Sequence, residues 1–271
     1  MNISESLSKD AKIIIIGAGA AGSACALSLH HKGFNNIKIL EAASTPEQIA
    51  IPAPINLGAN VSRVFDHLHL LDPLMAVAEK WKSATIRTAS GKTLAFMDCE
   101  KIHKICGYWP TTTTRTNMLN ILHRAIPNEW FNYNVKVNDL IEQGEQGEQV
   151  KVCCNGADDV FADLIIVANG FYSKFRKQVL GETEVRRDGK VNIQALIPAN
   201  KISADIRQLL KGKFTEILCK EGSVGYGMNS KDSLNMFFNI PLIDIDKDLT
   251  IEETLDVMKS KFSHLGSPVR E

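Results

Sequence analysis

The apolar and polar positions of this chain change period several times, and each change marks an element. Ile13–Ile16 is an unbroken β-branched run, the signature of a strand buried on both faces. A helix is expected from there through about His31, and Lys38-Ile39-Leu40 reads as a second strand. Residues 46–54, rich in Pro and Ala, predict a loop. Val61, Val64, Phe65 and Leu68 recur at helical spacing over 61–71, with a stop at Asp72-Pro73 before another short helix through Ala78. Residues 84–88 and 93–96, joined by Ser90-Gly91-Lys92, predict a hairpin. Thr111–Thr114 leads into an amphipathic helix with Met118, Leu119, Leu122 and Ala125 on its inner face. Strands are expected over 135–141 and 149–154, flanking a polar loop at 143–148. Residues 163–167 read as a second fully buried strand, ending in Ala168-Asn169-Gly170.

Beyond that point the pattern changes. Residues 191–197, 214–218, 223–228 and 234–240 read as strands of a separate, antiparallel sheet. Residues 251–262 predict a helix with Thr250 as N-cap and Glu252 and Glu253 complementing its dipole. The split between a parallel and an antiparallel part implies two domains, with a cleft between them where small ligands usually sit.

The first strand runs into Gly17-Ala18-Gly19-Ala20-Ala21-Gly22, a G-x-G-x-x-G placed where a helix must begin. Gly17 permits the tight turn, Gly19 lets the backbone approach a pyrophosphate, and Gly22 lets helix and strand lie close. The helix start offers free N–H groups and a positive dipole end to the phosphate. Glu41 ends the second strand, where a carboxylate accepts hydrogen bonds from a ribose. Strand, loop, helix, strand and acid in this order predict a dinucleotide site. They do not distinguish FAD from NAD, which share the adenosine-diphosphate half.

The 271 residues suffice for one large or two modest domains, and acidic and basic side chains balance at 31 each, so charge suggests no nucleic-acid partner. No apolar run is long enough to span a bilayer, and the polar N-terminus lacks the apolar core of a signal peptide. It reads as a disordered lead-in. The six cysteines are read as reduced thiols of a cytoplasmic protein. Cys99, His103 and Cys106 form a C-x3-H-x2-C without a fourth ligand at a recognised spacing, so no metal is expected.

Three features in order carry a resemblance: the glycine loop with Glu41, the helix entry Arg115-Thr116-Asn117-Met118-Leu119, and residues 168–176 (ANGFYSKFR). Together they resemble the single-component FAD-dependent aromatic hydroxylases, the p-hydroxybenzoate hydroxylase-like flavoprotein monooxygenases. ADLIIVANGFYSKFRK and VNIQA are most similar to the tetracycline-inactivating branch. The resemblance implies an α/β fold: a three-layer Rossmann-like FAD-binding domain (11–82 and 112–180) interleaved with a smaller antiparallel-sheet-plus-helix substrate domain (83–111 and 181–271). It implies FAD as cofactor, NAD(P)H as co-substrate, and oxygen-dependent hydroxylation of an aromatic or polyketide-like small molecule.

By the same resemblance Gly17, Gly19, Ala21, Gly22, Glu41, Arg115, Val137, Asn169 and Gly170 bind the cofactor, and Gln194 and Asn235 contact substrate. Asn169 replaces the family's usual acid. Ser173 and Arg176 are expected to cap and charge the helix that follows. No side-chain nucleophile or general base stands out, as expected where the cofactor carries the chemistry. Residues 49–53 lack the arginine and glycine pair common beside the flavin ring. The family's G-D-A-A-H segment does not occur before Glu271, so the chain is expected to be part of a longer protein. Two other readings stay open: a non-catalytic, degenerate or truncated hydroxylase acting as a binding or scaffold protein, and an NAD(P)-dependent dehydrogenase.

Overall fold

The computed structural model describes residues 7–143, 149–184, 186–242, 249–267 and 269. Residues 1–6 of the expected lead-in and 144–148 of the expected polar loop lie outside these. The chain divides into two compact units, Met1–Pro52 with Arg115–Glu184, and Ala53–Thr114 with Val185–Glu271.

In the first unit, β1 (Ile13–Ile16) is buried throughout because it lies inside a parallel sheet. It pairs with β2 (Ile37–Leu40) on one side and β12 (Leu164–Val167) on the other. β8 (Phe131–Asn132) joins the outer side of β2, giving the order β12-β1-β2-β8. α1 (Ala20–His31) makes the crossover from β1 to β2 and packs on α6 (Arg115–Ala125). The other face of the sheet is covered by an antiparallel meander of β9 (Lys136–Gln143), β10 (Gln149–Asn155) and β11 (Val160–Ala162). There Ile14, Ile16 and Leu40 pack against Val137, Leu140, Val152 and Ala162. Helices, parallel sheet and meander are the three expected layers. One expectation fails: β12 is only half-buried, because it pairs with one strand and forms the sheet edge. α2 (Pro46–Ile49) adds a helical turn to the expected loop, and α7 (Arg176–Leu180) follows the Ala168-Asn169-Gly170 turn.

The second unit is built on a six-stranded sheet. Its order is β13 (Lys190–Pro198), β16 (Ser233–Pro241), β15 (Gly222–Ser230), β14 (Lys213–Cys219), β5 (Ser83–Thr88), β6 (Thr93–Asp98). All neighbours are antiparallel except β14 and β5, which run parallel. One face is apolar, where Val224, Tyr226, Met228, Leu234 and Ile240 lie under α8 (Ala204–Leu210) and α9 (Ile251–Phe262). α9 starts with the expected cap: the Thr250 hydroxyl accepts from Glu253 N–H, and the Glu253 carboxylate accepts from Thr250 N–H at 2.8 Å.

A small sheet, β3 (Pro54–Leu57), β7 (Thr111–Thr114) and β4 (Glu79–Lys80), belongs to the same unit. So residues 53–82, read from the sequence with the first domain, group with the second. α3 (Ala59–His67) ends earlier than its periodicity suggests, with His69 at φ 59°. α4 (Leu71–Val77) then takes Pro73 into its first turn, where a missing N–H is tolerated. α5 (Cys99–Cys106) carries the C-x3-H-x2-C residues. Cys99 is buried, Cys106 is exposed, and the His103 ring stacks on Trp109 at 4.2 Å.

Candidate dinucleotide site

At the C-terminal ends of β1, β2 and β12 the first unit opens a cleft of about 410 Å³. Gly17, Gly19, Glu41, Val137, Asn169 and Gly170 line it, six of the nine residues expected to hold a cofactor. The three loop glycines do separate jobs. Gly17 takes φ +104°, and a Cβ on it would lie 2.6 Å from the Ala168 carbonyl oxygen. Gly22 sits against the loop itself, where a Cβ would come within 2.0 Å of Gly17 O. Gly19 has ordinary backbone angles (φ −68°, ψ −178°), and a Cβ there meets nothing within 4 Å. Among the described residues, neither strain nor packing asks for glycine at 19.

Gly19 is the N-cap of α1. No side chain accepts from that helix end, and its first turn holds no acidic residue. The loop is nevertheless firmly held. Ala18 N–H donates to Glu41 Oε2 at 2.8 Å, and the Ala18 carbonyl accepts from Ser23 Oγ at 3.0 Å and His123 Nε2 at 2.8 Å. Glu41 Oε1 accepts from Ala43 N–H at 2.8 Å, so the carboxylate bridges the ends of β1 and β2. His123 and Ser23 were invisible as site residues in the sequence, since neither belongs to the glycine motif.

Cations also reach the cleft. Lys136 and Lys174 line it, and Lys174 Nζ donates to the Asn138 carbonyl. Tyr172, 94% exposed, stands at its rim. Burial, with Glu41 and Glu47 nearby, pushes the Tyr133 phenol up, which keeps it a neutral hydroxyl. Gly170 needs its glycine for φ +84° alone. Ser173 does not cap α7, whose N-cap is Phe175 without a side-chain bond; its hydroxyl is buried with no partner among the described residues. Arg176 donates to the Phe171 carbonyl and stacks on that ring instead.

The remaining expected residues lie elsewhere. Ala21 is exposed in the first turn of α1. Arg115, the first residue of α6, is exposed and outside the cleft lining. Thr116 beside it ties α6 to the 49–53 segment by donating to Ala50 O at 2.8 Å.

Gln194 and Asn235 are in the second unit. Gln194 pairs with Phe237 and Leu196 with Asn235, so both residues project from the sheet face opposite its apolar core. Gln194 is exposed; Asn235 is 3% exposed, with Oδ1 unpartnered among the described residues. That face mixes polar and aromatic groups: Asn192 donates to Asn239 and Asn239 to Ser223 across three strands, while Phe237 stacks on Phe214 and Phe214 on Trp81. The Phe237 ring occupies the space a Cβ on Gly225 would need, 2.1 Å away.

Among proteins of known sequence, the chain is 24% identical over 185 residues to the FAD-dependent monooxygenase DEP2 of Alternaria brassicicola, covering 68% of this chain and 34% of that protein. It is 25% identical over 213 residues to 3-hydroxybenzoate 6-hydroxylase 1 of Aquipseudomonas alcaligenes, covering 72% and 49%. The chain thus spans from a third to half of these relatives. Its fold is that of Klebsiella pneumoniae HpxO, solved with FAD and uric acid: TM-score 0.81, 22% identity, 96% of this chain and 64% of that one. The family model described as FAD binding domain matches residues 10–263, nearly the whole chain, and the chain belongs to that family.

Proposed function

We propose that the first unit holds FAD with its adenosine-diphosphate half in the cleft, and that the protein hydroxylates a small aromatic molecule with NAD(P)H and oxygen. The observation that carries this is Gly19. Among the described residues nothing requires glycine there, at an uncapped helix N-terminus under open space. A pyrophosphate there would accept from the N–H groups of the first turn, Ala21 among them, and meet the positive end of the α1 dipole. Lys136 and Lys174 add positive charge around the same cleft.

Glu41 would accept from ribose hydroxyls with the lone pairs its two backbone bonds leave free. The backbone of Val137 would flank the adenine, Asn169 and Gly170 would let the cofactor pass close to the β12 turn, and Arg115 would add charge-assisted bonds from the start of α6. Bound there, FAD would supply the redox chemistry that couples NAD(P)H and oxygen to hydroxylation. The chain's own residues would bind and orient the cofactor, and a nucleophile–base pair is not expected of a site whose cofactor carries the chemistry.

An aromatic substrate is supported by 3-hydroxybenzoate 6-hydroxylase among the relatives and by uric acid in the HpxO structure. Gln194 and the unpartnered Asn235 carbonyl, on the sheet face of the second unit opposite its apolar core, are the proposed substrate contacts. The six free thiols favour a cytoplasmic protein. An NAD(P)-dependent dehydrogenase would use the same cleft but leave Arg115 and the Asn169-Gly170 turn without a purpose.

Parallel titrations of the purified protein with FAD and NAD decide between the two. Flavin binding that NAD does not displace is expected, and saturable NAD binding without FAD binding would overturn the proposal.

A further inference from the structure

Far from the cleft in sequence, the turn between β14 and β15 carries a second set of donor groups. Cys219 ends β14, Glu221 lies in the two-residue turn, and His264 lies two residues past Phe262, the last residue of α9. The Cys219 thiol, a Glu221 carboxylate oxygen and a His264 ring nitrogen all lie within 4.8 Å of one another. Glu221 Oε2 and His264 Nε2 are 3.7 Å apart. A tetrahedral zinc, with bonds of about 2.0 Å to N or O and 2.3 Å to S, holds its donors roughly 3.3–3.7 Å apart. The Glu221–His264 pair already stands near that spacing, and the thiol lies within 4.8 Å of both.

The backbone that presents them is fixed independently of any ion. Cys219 pairs with Gly222 in the β14–β15 ladder, and Gly222 takes φ +139° with Asn239 O where a Cβ would go. Met258, Phe262 and Leu265 hold the end of α9 against the same sheet. The thiol is half-buried and now donates to Gly222 O at 3.5 Å, a weak bond that a metal would replace. A thiolate and a carboxylate offset a divalent charge, and neutral imidazole completes three protein ligands, leaving a fourth position for water. One soft sulfur and one nitrogen among three donors suit zinc and its transition-metal neighbours rather than magnesium or calcium.

We propose that Cys219, Glu221 and His264 form a zinc-class site that clamps the β14–β15 turn to the C-terminal end of α9. Binding converts the thiol to a metal thiolate and releases its proton to solvent, so affinity rises with pH. The site is independent of the flavin reading. Only folding brings the donors together: C-x-E is no recognised ligand spacing, and the histidine lies 45 residues beyond the cysteine.

The probe is Co²⁺, titrated into chelator-treated full chain. One equivalent should produce the near-ultraviolet thiolate-to-cobalt band and the visible bands of a tetrahedral site, and Zn²⁺ should abolish them. Cys219→Ser should remove the thiolate band. His264→Ala and Glu221→Gln should each weaken binding at least ~10-fold, with FAD affinity unchanged. A thiolate band that persists in Cys219→Ser, binding indifferent to His264→Ala, or no band at all would overturn the proposal. Should a variant fail to fold, Zn²⁺ must still slow alkylation of Cys219 in the unaltered chain, read by mass spectrometry; equal rates with and without zinc would refute it.

Discussion

Replacing Gly19 by valine should separate cofactor binding from folding, because the structure assigns that glycine no task in the protein itself. Its φ of −68° and ψ of −178° are open to any residue, and the new Cβ meets nothing within 4 Å. Exchanging Gly for Val at an N-cap costs about 1 kcal/mol, and the smaller unfolded-state entropy of valine offsets about 0.4–1 kcal/mol of it. The net effect on stability is therefore close to zero. Binding is different, since the side chain fills the space above the first turn of α1. If the phosphate loses one or two charge-assisted bonds of about 1.5–3 kcal/mol each, affinity falls at least ~10-fold, and more than 1,000-fold for two strong ones. Gly22→Ala is the contrasting control, because its Cβ would lie 2.0 Å from a backbone oxygen and must disturb the fold. The assay is FAD titration beside urea unfolding for the three proteins. Unchanged FAD affinity in Gly19→Val, or a stability loss matching that of Gly22→Ala, would refute the reasoning.

Arg115→Ala should cost roughly 1.5–3 kcal/mol of FAD binding, about 10- to 100-fold, with Arg115→Lys recovering part because an ammonium lacks the guanidinium fork; calorimetric titration of the three proteins checks it. Asn235→Leu removes a buried carbonyl that has no partner among the described residues, so stability should hold or rise while KM for the aromatic substrate increases; an unchanged KM would make the residue purely structural. Thr250→Ala should lower stability by about 1 kcal/mol through loss of the α9 cap, measured by thermal unfolding. The Glu253 carboxyl is held below its ordinary pKa by the Thr250 N–H and then its hydroxyl. Its share of stability is thus present above the ordinary carboxylate range and lost as pH falls through the lowered pKa, so the gap between wild type and Thr250→Ala should narrow in acid.

How much of this was legible depends on whether apolar spacing or long-range contact decides an element. Ile13–Ile16 and the loop after it were readable because burial on both faces leaves no polar position in the strand, and the glycines announce the turn. The four residues of β7 were not, because Thr111, Thr112 and Thr113 are buried without being apolar. Thr112 is satisfied by Ile55 O and by Asn229 Oδ1, more than a hundred residues away, and Thr113 by Val77 O. A strand whose partners are distant hydrogen-bonding groups has the sequence of a loop. α5 carries a local signature at both ends: Asp98 caps it, accepting from Lys101 N–H at 2.9 Å, and Gly107 closes it at φ +80°.

The candidate site shows the same division at closer range. Residue type and order gave Gly19, Glu41 and Gly170, because the chemistry of a phosphate and a ribose restricts what stands there. The support beneath them was hidden, since it is built from ordinary residues brought in by tertiary structure. Glu41 is more than a ribose acceptor: its two oxygens hold Ala18 N–H and Ala43 N–H before any ligand arrives. The Ala18 carbonyl is held from the other side by Ser23 and by His123, the latter delivered by α6. With both polar groups of Ala18 committed within the protein, the peptide preceding Gly19 is fixed and the first-turn N–H groups of α1 already face open space. Binding then need not spend its free energy on ordering this loop, which is where a short, glycine-rich segment would otherwise lose most.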